Sequence, residues 1–238
     1  RGHRRPGPDP DQLPGDVLQR QTRRAAGKAG RDHRHAEGFP VQFSWEALQG
    51  WAEMRAKEPH KPSSQLHHDL LHSIDYDTYQ QIRYRSDAAI VPGPGAYPVE
   101  LFHLGRYFKE PVRIFLVTDG QSREVLYNSE LFTYGQQAEF AKALPADTGF
   151  AGLRVMRGPT QPDWISFLGA SYFRATGETK QYGLSTRGLA LNTGMSYPEE
   201  FPRFSNFWIE KLDSGDGITV YALLESQSVT GAYRIRAT

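Results

Sequence analysis

Between Phe167 and Trp208 the chain is punctuated by Gly169, Gly177, Gly183, Gly188 and Gly194. The same interval packs in Tyr172, Phe173, Tyr182, Tyr197, Phe201, Phe204, Phe207 and Trp208. Glycines at that spacing leave no room for a long helix and favour short strands joined by tight turns. Isolated arginines, Arg174, Arg187 and Arg203, lie among the rings. Two readings stand side by side. The rings fill a β core, which is the commoner fate of aromatic side chains. Alternatively, rings beside Arg and Asn donors hold a polar ligand with apolar faces, such as a sugar.

The wider composition agrees with the β reading. The 23 Gly and 16 Pro in 238 residues suit many strands linked by turns. Mean hydropathy is −0.60, and no apolar run approaches the length that crosses a bilayer. There is no Cys, which removes disulfides, thiol chemistry and Cys-ligated zinc. Residues 1–38 carry nine Lys and Arg against five Asp and Glu, and the remainder is net acidic. A nucleic-acid binder carries its basic excess on the folded part, so that function is set aside. Residues 1–38 are rich in Arg, Gly, Pro, Asp and Ala without apolar periodicity, and they are expected to be a disordered tail.

Along the rest of the chain, Ser44 is placed to cap a helix over residues 45–58, with Leu48, Trp51 and Ala52 as its apolar stripe. Pro59 and Pro62 end it. A short helix is expected over 65–71, a strand over 81–85, and a loop at the Pro-Gly cluster 91–98. Strands then follow over 99–104, 112–117, 124–128, 152–156, 170–176, 181–185, 207–212, 218–224 and 233–236. Asp119-Gly120 reads as a hairpin turn, and residues 214–217 as another.

Few residues present themselves as chemistry. His68 and His72 are four apart and share a helix face, with His67 beside them. A zinc site needs a third ligand and usually a catalytic Glu within the motif, and the residues between are Asp69, Leu70 and Leu71. A solvent-facing helix explains them. Glycoside hydrolysis needs two carboxyl groups held across the bond. Glu199 and Glu200 are neighbours that point apart on an extended chain. Asp213 and Asp216 sit in a turn that favours Asp. Glu210 and Glu225 form no evident pair. His103 in VELFHLG reads as a hydrogen-bonded structural residue among apolar neighbours.

Several blocks in order carry a resemblance: FSWEALQGWAEMRA, IDYDTYQQIRYR, VELFHLGRYFKEPVRIF, TGFAGLRV, GASYFR, QYGLSTRGLAL, PEEFPRFSNFWIE and YALLESQSVTGAYRI. From about Phe43 onward the chain resembles the osmoregulated periplasmic glucan biosynthesis proteins of the G and D types (OpgG and OpgD, or MdoG and MdoD). These blocks do not separate the two types, and residues 1–38 do not share the resemblance. The resemblance implies an antiparallel β-sandwich of the galactose-mutarotase-like kind with short N-terminal helices. It implies that residues 39–238 are the N-terminal part of a glucan-binding domain. The remainder of that domain and an immunoglobulin-like domain are expected further on, so the chain is expected to be a fragment. It implies the periplasm, and β-1,2-glucan as the ligand. It also implies a membrane glucosyltransferase as a partner upstream. The reaction implied is inverting hydrolysis of β-1,2-glucan. The alternative is a non-catalytic binder or scaffold for the nascent polymer.

In D-type proteins hydrolysis depends on Asp residues downstream of the matching region, so no catalytic residue, metal or cofactor is assigned here. The binding residues chosen within the best-matched blocks are Tyr172, Arg174, Tyr182 and Arg187. Tyr172 and Arg174 share one face of their strand. The competing reading of that face is a solvated surface with an Arg paired to a carboxylate.

Overall fold

A computed structural model describes residues 37–63, 66–105, 107–158, 161–177, 181, 183, 185–212 and 217–238. Residues 1–36 of the expected tail, Tyr182, Asp213 and most of the expected 214–217 turn lie outside the described residues. The helices are α1 (Trp45–Ala56), α2 (His68–His72) and α3 (Tyr76–Gln80). The Ser44 hydroxyl accepts the Ala47 amide at 3.1 Å, and Asp75 accepts the Thr78 amide at 2.9 Å. Each satisfies a donor that a first helical turn leaves unpaired.

The strands, in chain order, are β1 (Val41–Gln42), β2 (Ile82–Tyr84), β3 (Val99–Phe102), β4 (Arg113–Thr118), β5 (Gln121–Glu124), β6 (Phe132–Tyr134), β7 (Gly152–Met156), β8 (Asp163–Leu168), β9 (Tyr172–Ala175), β10 (Thr186–Arg187), β11 (Arg203–Lys211), β12 (Ile218–Glu225) and β13 (Thr230–Ala237). A six-stranded sheet has the order β1-β5-β4-β11-β12-β13. A five-stranded sheet has the order β10-β9-β8-β7-β3, and β2 pairs with β6 separately. The fold is a mainly-β sandwich. Among the described pairings, only β4 with β11 is parallel. The chain between them builds most of the second sheet, which supplies the long crossover that a parallel pair requires.

Three expectations shift. The strand placed at 124–128 is β5, which begins at Gln121. Asp119 (φ 51°) and Gly120 (φ 70°) both take the left-handed conformation of a two-residue hairpin turn, so pairing resumes at once as Thr118 opposite Gln121. The strand placed at 181–185 is Thr186–Arg187, held where Arg187 pairs with Tyr172. The helix placed at 65–71 is α2, which starts at His68. β6 and β8 were not anticipated.

Two cores result. The larger fills the space between the sheets. Ile114, Phe204, Phe207, Ile209 and Val220 from the six-stranded sheet meet Val99, Leu101, Leu153, Ile165 and Phe167 from the five-stranded one. Phe167 and Phe207 touch across the layers, with ring centroids 5.8 Å apart. The smaller core lies on the opposite face of the six-stranded sheet, under α1. There Trp208 stacks on Phe115 at 5.1 Å and on Phe43 at 5.4 Å, with Leu48 and Ala52 of α1 closing over them. Successive residues of β11 alternate between the two, Phe207 and Ile209 into one and Trp208 into the other. An uninterrupted apolar run is what a strand covered on both faces needs. No described helix is long and apolar enough to cross a membrane.

Candidate functional site

The outer face of the five-stranded sheet carries the polar residues. The register aligns Glu100 of β3 with Arg154 of β7, Arg154 with Ser166 of β8, and Ser166 with Arg174 of β9. Side chains directly opposite one another in a pleated sheet share a face. Their strand neighbours Leu101, Leu153, Ile165 and Phe167 therefore point the other way, into the core. The result is a row across four strands, about 14 Å from end to end at the usual strand spacing.

Arg154 donates to Glu100 Oε2 from Nε at 3.0 Å and from Nη2 at 2.6 Å. Arg174 donates from Nε to the Ser166 hydroxyl at 3.3 Å, and its Nη2 lies 3.7 Å from Asp163. Trp164 borders the row, with Arg157 over its ring at 5.4 Å and the Tyr97 ring 5.0 Å away.

The predicted binding residues divide. Tyr172 and Arg174 share one strand face, and Arg174 also pairs with the Asp163 carboxylate. Arg187 sits opposite Tyr172, with its guanidinium 5.2 Å from the Tyr172 ring and 5.3 Å from the Phe201 ring. It also pairs with Glu199, which in turn accepts the Thr193 hydroxyl at 3.2 Å. The Glu199 hydrogen bond is the main cause that raises the Arg187 pKa. Arg187 thus serves as a spacer between two rings. Phe201, at 63 % exposure, presents apolar surface to solvent beside it.

Glu100, Arg154, Ser166 and Trp164 were not picked out as binding residues. The alternation of Trp164 and Ser166 against Ile165 and Phe167 was the available signal for β8, but four of these six consecutive residues are apolar and mask it. The row itself has no sequence signal, since its members are up to 74 residues apart.

Of the carboxylates weighed for catalysis, the four described ones, Glu199, Glu200, Glu210 and Glu225, have structural partners, and Asp213 and Asp216 lie outside the described residues. Glu200 accepts the Ser228 amide at 2.8 Å and its hydroxyl at 2.6 Å. Glu210 accepts the Tyr221 hydroxyl at 2.8 Å, and Glu225 accepts Arg55 Nη2 at 2.8 Å. Glu199 and Glu200 point to different partners, as neighbours on extended chain do. His67 Nε2 lies 2.7 Å from Asp147, and the rings of His68 and His72 are 4.4 Å apart. Among the described residues no three His, Asp or Glu side chains gather as metal ligands. His103 is buried, with Nδ1 2.6 Å from the Leu104 carbonyl and Nε2 2.9 Å from the Tyr127 hydroxyl. Burial pulls its pKa down to about 4, and the Leu104 bond partly offsets that. It is a structural residue in the sandwich.

Residues 43–238 match the family model described as periplasmic glucan biosynthesis protein, MdoG. The chain is 44 % identical over 217 residues to glucans biosynthesis protein D of Stenotrophomonas maltophilia (strain K279a), covering 90 % of this chain and 41 % of that protein. It is 44 % identical over 216 residues to the protein of the same name from Xanthomonas campestris pv. campestris (strain B100), covering 90 % and 40 %. For that of Xanthomonas oryzae pv. oryzae (strain PXO99A) the identity is 42 %, again with 90 % and 40 % covered. A match to 90 % of the chain is longer than residues 39–238, so the similarity reaches into the N-terminal segment that the sequence reading left outside it. The chain spans about 40 % of the length of these curated relatives. On this match the chain belongs to the periplasmic glucan biosynthesis protein family, MdoG.

Proposed function

We propose that this chain contributes to periplasmic glucan biosynthesis by binding the β-1,2-linked glucan backbone on the outer face of its five-stranded sheet. The observation that carries the reading is the row Glu100–Arg154–Ser166–Arg174, with Tyr172 beside it, on one sheet face. Charged donors and acceptors set among ring faces suit a ligand whose hydroxyl edges hydrogen-bond while its C–H faces stack. Tyr172 and Arg174 contact the sugar directly. Arg187 acts through the rings it separates, and Tyr182, chosen from the sequence alone, is the fourth proposed binding residue.

Inverting hydrolysis of the glucan belongs to the same reading, with the acid and base supplied by carboxylates of the longer protein. Supporting this division, Glu199, Glu200, Glu210 and Glu225 are all engaged by Arg, Ser or Tyr partners. The non-catalytic alternative, a scaffold that guides the polymer as a membrane glucosyltransferase releases it, draws on the same observation. The family description supports the periplasm as the compartment.

Calorimetry with linear β-1,2-gluco-oligosaccharides tests the binding. Tyr172→Ala and Arg174→Ala are expected to weaken it about tenfold, equivalent to ~1.4 kcal/mol, with the melting temperature preserved. Arg187→Ala and Tyr182→Ala are expected to weaken it less. Unchanged affinity in all four folded variants would return this face to a structural role.

A further inference from the structure

At the β3 end of the row lies a cleft of ≈ 270 Å³. Its polar lining comes from Ser86, Asp87 and Glu100, and its apolar lining from Ala89, Val91, Pro98 and Met156. Its walls are held by the main chain and by side chains outside the cleft. Tyr84 donates its hydroxyl to the Ala88 carbonyl at 2.9 Å, and the Met156 amide bonds the Pro98 carbonyl at 2.7 Å.

Glu100 is 2 % exposed. Both hydrogen bonds from Arg154 go to its Oε2. Among the described residues no donor reaches Oε1. A buried carboxylate oxygen left without a donor is costly, and each such case calls for an explanation. The charges of the cleft are already matched. Arg154 neutralises Glu100, and Arg85 pairs with Asp87 at 3.1 Å (Nε to Oδ1) and 2.6 Å (Nη2 to Oδ2). A cation therefore gains little there. A neutral molecule that donates hydroxyl hydrogens and has an apolar face fits both the open acceptor and the Ala89, Val91, Pro98 and Met156 surface. The volume lies just under the usual range for ligand pockets, which suits a ligand of about one sugar ring.

We propose that this cleft is a subsite for one terminal hexose unit of the glucan, with a ring hydroxyl donating to Glu100 Oε1. The inference rests on the glucan-binding reading above, and places the end of the polymer at β3 with the following units running across the strands toward Arg174 and Tyr172.

The test is a backbone-resolved NMR titration of the 238-residue chain with methyl β-glucoside, with methylammonium chloride, and with linear β-1,2-gluco-oligosaccharides. The glucoside is expected to give saturable shifts at Ala89, Val91 and Met156, which methylammonium does not reproduce. Ala89→Leu, which fills the cleft without touching either ion pair, is expected to weaken the glucoside about tenfold or more. Val91→Phe, at an exposed position, is expected to act in the same direction and stands in if Ala89→Leu does not fold. Absence of saturable shifts in the cleft, shifts with methylammonium instead, or glucoside affinity unchanged by filling would each overturn the subsite. If oligosaccharides bind Ala89→Leu as tightly as wild type, the subsite falls and the glucan-binding face stands. If the glucoside fills the cleft while oligosaccharides leave Tyr172 and Arg174 unperturbed, the hexose site stands and the extended glucan face falls.

Discussion

His103→Gln is expected to remove a specific acid sensitivity from the fold. The Leu104 carbonyl can only accept, so the Nδ1 atom 2.6 Å away carries the imidazole proton. Nε2 then accepts from the Tyr127 hydroxyl at 2.9 Å, and Tyr127 in turn can take a hydrogen bond from Tyr134 at 3.3 Å. This arrangement needs the neutral ring. Burial lowers the folded pKa from 6.5 to about 4, with the Leu104 bond opposing. In the unfolded chain the ring titrates at its ordinary value, so between those two pH values the unfolded state binds more protons. Stability is therefore complete above pH 6.5 and is lost progressively as pH falls toward 4. A depression from 6.5 to about 4 corresponds to roughly 3 kcal/mol at the acid end. Urea denaturation at about pH 7.5, 6, 5 and 4.5 measures it as the difference between wild type and His103→Gln, which cancels the carboxylates common to both. The wild-type advantage at neutral pH should shrink by roughly 2.5 kcal/mol across the series. Parallel stability curves, or an imidazole resonance of the folded chain titrating near its ordinary value, would refute the reasoning.

Trp208→Ala removes the ring that stacks on Phe115 and Phe43 beneath α1, and should cost about 4 kcal/mol in chemical denaturation. Gly152→Ala would set a methyl group 2.1 Å from the Phe167 carbonyl oxygen and 2.9 Å from Leu168 Cα, both backbone atoms of the paired strand. A loss of about 3 kcal/mol is expected, and a neutral result would show that β7 and β8 slide apart readily. The chain alone is expected to release no new reducing ends from linear β-1,2-glucan. Turnover above a heat-treated control would place the acid and base within these 238 residues.

The strands that could be read directly were those with local chemistry at their ends. Asp119-Gly120 marked the β4–β5 turn, because a two-residue hairpin needs positive φ at both positions, and Asp and Gly tolerate it. Ser44 marked the start of α1 because its hydroxyl must meet an amide three residues on. β12 was read to within a residue because its apolar run is bounded by turn residues. β8 escaped because apolar residues on both of its faces erase the alternation that reveals a strand, and β6 because three residues, Phe132–Tyr134, are too few to show one.

The pairing of Tyr172 with Arg174 on one face was legible, since a strand's period of two places them there whatever surrounds it. The polar row was not. Glu100, Arg154, Ser166 and Arg174 come from four strands, and their alignment depends on registers set by the packing of Leu101, Leu153, Ile165 and Phe167 against the opposite sheet. The surroundings of Arg187 were hidden for the same reason. As a residue type it is a charged donor, but the 191–202 loop brings Glu199 and Phe201 onto it, and those contacts take up the guanidinium. Residue identity and local spacing dictate turns, caps and strand faces because the atoms involved are within a few bonds of each other. Which faces meet, and which charges are already matched when they do, depends on long-range packing of strands far apart in the chain.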